Sequence, residues 1–178
     1  MKLCGYNVGV EFGLREFRRE DFESLWRIDQ QCFAPGIAYS RMELAAYIRL
    51  RGAFTVVAVP LPDGAEKAGR ARIESQPKVL GFIVAQANRR GIGHILTIDV
   101  PLTSRRLGIG STLLAMAESR LAASCHSVVL ETAVDNSAAL AFYKRHRYSV
   151  VKTIPRYYSN SVDAFVLEKT LHSGAGDK

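Results

Sequence analysis

The sequence predicts a mixed α/β fold: a mostly antiparallel sheet of about seven strands, with helices on both faces. Three observations lead there. Apolar runs with strand character recur seven times along 178 residues. Helical stripes interrupt them in the order β-α-α-β-β-β-α-β-α-β-β. Antiparallel strands come first and strand–helix–strand units follow, which places a parallel pair in an otherwise antiparallel sheet. A chain of this length buries about 70% of its unfolded surface. Residues 1–171 are expected as one domain and 172–178 as a polar tail.

Each element has its own signal. Gly13 to Phe17 reads as a short strand. Glu20-Asp21 opens a helix with Phe22, Leu25, Trp26 and Ile28 at helical spacing, and Ala34-Pro35-Gly36 stops it. Ser40 with Glu43 three residues on is a capping box, so a second helix follows to about Leu50. Phe54 to Val59 is a strand. Residues 60–77 form a polar loop, longer than most connections. Lys78 to Ala87 and Gly93 to Val100 are strands around a turn at Asn88 to Gly91. Gly108 to Ala123 carries Ile109, Leu113, Ala117 and Leu121 on one helical stripe. Ser127 to Val134 is a strand and Asn136 to Arg147 a helix. Tyr148 to Ile154 and Val162 to Lys169 are strands around a loop at Pro155 to Ser161.

Composition narrows the functional classes. The chain is 48% hydrophobic and 23% charged, as in ordinary globular proteins. Its net charge of +7 suits nucleic acid, a polyanionic cofactor, or mere solubility. The arginines are scattered and no run of five or six occurs, so a direct nucleic-acid function is not expected. Cys4, Cys32 and Cys125 are odd in number and far apart, which points to reduced thiols and a cytoplasmic setting. The histidines do not fall at metal-ligand spacing with them, so no metal is expected. No signal peptide or membrane-spanning run is visible.

One segment carries cofactor chemistry. The strand Ile95 to Val100 runs through Pro101 to Ser104 into Arg105-Arg106-Leu107-Gly108-Ile109-Gly110-Ser111, where a helix opens. First-turn N–H groups lack internal partners and the helix dipole favours an anion. Glycines let a phosphate approach the backbone, and the arginines add charge. No Gly-Lys-Ser/Thr follows, so this is not a Walker A loop. The glycine spacing is not that of a dinucleotide fingerprint. Arg-x-x-Gly-x-Gly after such a strand resembles the acetyl-CoA motif of the Gcn5-related N-acetyltransferases, over about Gly13 to Leu171. The resemblance implies acetyl-CoA as acetyl donor. It implies cofactor contacts at Ile98, Asp99, Val100, Arg105, Arg106, Leu107, Gly108, Ile109, Gly110 and Ser111. It also implies that the strand after the helix splays away to open a cleft.

The second half suggests the chemistry. Leu130-Glu131-Thr132 lies in an apolar strand, where a lone carboxylate is costly to bury. Glu131 reads either as a base with its pKa raised by burial or as the partner of an arginine. Asn136 is a helix N-cap, a cofactor ligand, or both. Tyr143, seven residues on, shares its helix face. Taken alone it reads as a core aromatic. Together with Arg156-Tyr157-Tyr158, these motifs are similar to the ribosomal-protein alanine N-acetyltransferases and relatives that acetylate protein N-termini. In that family the Leu-Glu strand supplies a general base, and a tyrosine twelve residues later supplies the acid. The resemblance therefore implies catalytic roles for Glu131 and Tyr143. It implies a peptide groove at Tyr157 and Tyr158, with Tyr39 as a contact from the loop between the first two helices.

Amine chemistry favours one acceptor class. An α-amine is roughly 10–20% neutral at pH 7, whereas a lysine amine is only about 0.04% neutral. A single carboxylate base suits the first better. The expected acceptor is a protein N-terminus, ribosomal proteins included. A lysine or small-molecule amine is the alternative, and an acyl-CoA-binding module without turnover is a further one.

Overall fold

A computed structural model of the chain describes residues 11–61 and 79–171. The expected loop at 60–77 lies almost wholly, and the tail at 172–178 wholly, outside the described residues. Seven strands form one sheet: β1 (Phe12–Glu16), β2 (Ala53–Pro60), β3 (Gly81–Ala87), β4 (Ile92–Asp99), β5 (Ser127–Ala133), β6 (Ser149–Ile154) and β7 (Ala164–Thr170). Among the described residues four α-helices join them: α1 (Phe22–Cys32), α2 (Arg41–Ile48), α3 (Ile109–Leu121) and α4 (Ser137–Arg145). The spatial order is β1-β2-β3-β4-β5-β7-β6. Every pairing is antiparallel except β4 with β5.

The sheet separates two apolar layers because its strands alternate. Val56, Ala58, Ile83 and Ala85 face a layer with Leu113, Leu114, Ala117 and Leu121 of α3. Val57, Phe82 and Val84 face Leu25 and Ile28 of α1 and Leu44 of α2. Ser40 caps α2 through the expected box: the Glu43 N–H donates to its Oγ at 3.2 Å and its own N–H donates to Glu43 Oε2 at 2.8 Å.

Two departures from ideal pairing position the site. The β4–β5 ladder ends after three residue pairs, the last being His94 with Val129. Beyond it β4 pairs only with β3, and β5 only with β7. In β4, Val84 faces Thr97 while Ala85 faces Ile95, so Leu96 is an inserted bulge residue. The last strand, β7, inserts between β5 and β6, which makes β6 an edge strand with an exposed face. Helices α3 and α4 each start one residue later than their patterns suggest, because Gly108 and Asn136 are N-caps, and each ends two residues earlier.

Candidate active site

The cofactor-type segment is a tight turn at the end of β4. Arg106 has φ 65° and Gly108 φ 82°, both left-handed. Such alternation turns successive N–H groups towards one concavity. Gly108 is required by its backbone, since a non-glycine residue there pays about 1–2 kcal/mol. A Cβ built on it meets nothing within 4 Å, so the space beside the turn is open. The first-turn amides of α3 follow directly. Leu107, Gly108, Ile109, Gly110 and Ser111 carry the turn into the first turn of α3, whose N–H groups lack helical partners and could hold a phosphate. Ser111 also meets His146 Nε2 at 3.0 Å.

The two arginines divide their tasks. Arg105 donates from Nε to the Val100 carbonyl at 2.8 Å, bracing the turn against the strand. Arg106 is exposed and makes no such brace. Ile98 and Val100 pack towards the α3 layer, along the side where β4 has left β5. Asp99 is different: its side chain is 1% exposed, and Thr97 donates to Oδ1. Burial pushes its carboxyl well above the ordinary range, and the charge of nearby Asp29 adds to this. Its Oδ2 is buried without a partner.

Glu131 faces His94 across the gap. Its Oε2 lies 2.7 Å from His94 Nε2, with the two side chains 18% and 32% exposed. Among the described residues the partner of the carboxylate is thus a histidine and not the arginine that one reading of the sequence allowed. His94 was passed over in the sequence because it matched no metal spacing. The signal that could have found it is position: it sits on β4 beside the first residue of the opening gap.

Tyr157 and Tyr158 lie near Glu131, and further tyrosines lie near them. Tyr143 is 6% exposed and packs edge-on against Phe142 and Tyr148. Burial pushes its hydroxyl well up, with smaller upward contributions from Asp99 and Tyr158. Tyr158 is raised by burial, then by Tyr157 and the charge of Glu131. Tyr157, stacked edge-on with Tyr158 at 5.0 Å, is raised by burial and then by Glu131. Tyr39 donates its hydroxyl to the carbonyl of the bulge residue Leu96 at 3.0 Å. The structure thus gathers Glu131, Tyr143, Tyr157, Tyr158 and Tyr39 into one neighbourhood. Asn136 is an N-cap: the Ala139 N–H donates to its Oδ1 at 3.1 Å.

Two loops form the outer wall. Ser159, between β6 and β7, donates its hydroxyl to the Gly36 carbonyl, between α1 and α2, at 2.9 Å. A cavity of about 630 Å³ beside this contact is lined by Phe33, Pro35, Tyr39 and Ser159 among others. Among the described residues no group of three or more His, Cys, Asp or Glu is arranged to hold a metal ion. No helix among them is long and apolar enough to cross a membrane.

Comparison with known proteins agrees with this arrangement. Residues 16–148 match the model of the acetyltransferase (GNAT) family. The chain is 36% identical over 180 residues to an N-alpha-acetyltransferase of Sulfurisphaera tokodaii, covering 96% of this chain and all of that protein. Ard1 from Thermoplasma volcanium superposes with a TM-score of 0.74 at 27% identity, covering 90% of this chain and 98% of that one. The NatC complex bound to Gag peptide and CoA contains a chain that superposes with a TM-score of 0.69 at 28% identity, covering 91% and 99%. A splayed strand pair, a glycine turn opening a helix, and a matching sequence over most of the chain lead to one conclusion: this protein belongs to the acetyltransferase (GNAT) family.

Proposed function

We propose that the protein transfers an acetyl group from acetyl-CoA to the α-amine of a protein N-terminus. The observation that carries this reading is the His94–Glu131 pair, held at 2.7 Å where β4 and β5 part, with Tyr158 near Glu131 and Tyr143 near Tyr158. Bound acetyl-CoA supplies an activated thioester. The turn at Arg106 to Ser111 would hold its pyrophosphate, and the open edge at Ile98 to Val100 its pantetheine arm. Asn136, already a cap, keeps one amide face for the same ligand.

Glu131 accepts the proton of the acceptor amine, directly or through one water, and His94 orients that carboxylate. Tyr143 is neutral because burial raises its hydroxyl, so it can give a proton to the departing sulfur. Tyr157, Tyr158 and Tyr39 border the acceptor's path. A base of this kind suits an α-amine, of which roughly one in ten is already neutral at pH 7. The name carried by the Sulfurisphaera relative, N-alpha-acetyltransferase, supports the same acceptor class.

The test is a coenzyme A release assay on short peptides with free and with blocked N-termini, ribosomal-protein sequences included. Turnover only on free N-termini supports the reading. Equal turnover on blocked, lysine-containing peptides would overturn it.

A further inference from the structure

The arginines that are scattered in sequence are not scattered in space. Arg49 and Arg51 lie between α2 and β2, and Arg89 and Arg90 lie in the turn between β3 and β4. These two connections are neighbours, because Ala53 pairs with Gln86 at the same end of the sheet. They are tied together: Ala87 N–H donates to the Gly52 carbonyl at 3.1 Å, and Gln86 Nε2 donates to the Arg51 carbonyl at 2.8 Å. Gly52 is needed there, since its φ is 79° and a Cβ would come within 2.7 Å of the Ala87 carbonyl oxygen. Asn88 stiffens the second turn, accepting at Oδ1 from the N–H groups of Arg90 at 2.8 Å and Ile92 at 3.0 Å.

Among the described residues the charge is uncompensated. All four arginines are exposed. None forms an ion pair among the described residues. The described residues from 44 to 61 and from 79 to 98 contain no Asp or Glu at all. A hollow of about 410 Å³ lies between the turns, lined by Arg51, Gly52, Gln86, Ala87, Asn88 and Arg89. This end of β4 is seven residues, or about 23 Å, from the end that carries the donor turn. The patch is therefore separate from the phosphate cradle.

We infer that these two arginine-bearing turns form a docking surface for the phosphate backbone of RNA. Guanidinium groups bind phosphate through two parallel N–H donors, and two pairs of them on a rigid edge suit repeated phosphates. Lipid is a poorer fit, because Leu50, 38% exposed, is the one large apolar side chain the two turns show to solvent. The contact is sequence-independent and strongly salt-dependent. It does not depend on the acceptor of the acetyl transfer.

The test uses the full chain and a fluorescein-labelled single-stranded RNA 20-mer, followed by anisotropy from 50 to 300 mM KCl. Four neutralised phosphates give a slope of log affinity on log salt of about −3. The variant R49Q/R51Q/R89Q/R90Q is expected to lose at least tenfold in affinity at 50 mM and most of that slope. It should keep its melting temperature and its turnover of a short peptide. The variant K144Q/R145Q/R147Q/K152Q removes the same net charge elsewhere on the surface and should keep most of the affinity. Equal weakening in both variants would show net charge alone and overturn the inference, as would unchanged binding in the first. Vesicles of phosphatidylcholine and phosphatidylserine (3:1) form a second arm. Patch-dependent binding to vesicles without binding to RNA would also overturn it.

Discussion

His94 on β4 and Glu131 on β5 meet at 2.7 Å across the two strands at the point where their ladder ends. A parallel pair that stayed closed would hide both side chains between neighbours. Parting leaves them partly exposed and at hydrogen-bond distance from one another.

Removing either member should separate base from positioner. Glu131→Gln is expected to lower kcat by about 100-fold or more, with the KM for the donor kept within about threefold. His94→Gln should cost less, about tenfold. The double variant should lose no more than Glu131→Gln alone, because both act on one proton. Steady-state coenzyme A release measures all three.

Tyr143→Phe removes one hydroxyl from a packed site and leaves the ring stacking in place. Turnover is expected to fall about 100-fold, with thermal stability nearly unchanged. Unaltered turnover would exclude it as the acid.

Gly108→Ala should act on the donor and on the fold differently from a packing change. The space beside it is open, so no clash occurs, but its φ of 82° makes alanine unfavourable by about 1–2 kcal/mol. The expected result is a modest loss in urea stability and a donor KM raised about tenfold or more. Acceptor KM should stay the same.

Asp29 gives a pH signature of stability. It is buried, accepts the Tyr39 N–H at 2.8 Å, and leaves Oδ1 unpartnered. Burial raises its carboxyl from 3.8 to about 6 despite its hydrogen bonds. The folded state therefore holds the proton more tightly than the unfolded state. Its contribution is fully present below about pH 4 and is lost as pH rises through about 6, a change of about 2–3 kcal/mol. Asp29→Asn keeps an acceptor for Tyr39 and should flatten this decline. Urea midpoints for both proteins between pH 4 and 7 check the difference.

Tyr39→Phe strands the Leu96 carbonyl at the bulge. The expected cost is about 1 kcal/mol, read as a fall of a few degrees in Tm. A concurrent rise in peptide KM would place the ring on the acceptor's path as well.

Local patterns were legible because they obey local rules. The Ser40–Glu43 box, the stripe of α3 and the alternation of β2 and β3 each follow from a few neighbouring residues. The arginine–glycine turn was legible too, since left-handed backbone and free amides are coded within six positions. Glu131 and Tyr143 came forward through the family resemblance, which did not show what either touches.

What the sequence by itself determined, then, is the order of elements, the class of sheet and the donor-type turn. The tertiary structure decided the rest, because each remaining feature joins residues far apart in the chain. His94 becomes the partner of Glu131 only when β4 and β5 lie side by side, 37 residues apart in sequence. Tyr39 caps Leu96 across 57 residues, and Ser159 reaches Gly36 across 123. Likewise Arg49, Arg51, Arg89 and Arg90 look like background charge along the chain and become one patch when β2 pairs with β3. Side-chain chemistry is local, but proximity is set by the register of the sheet.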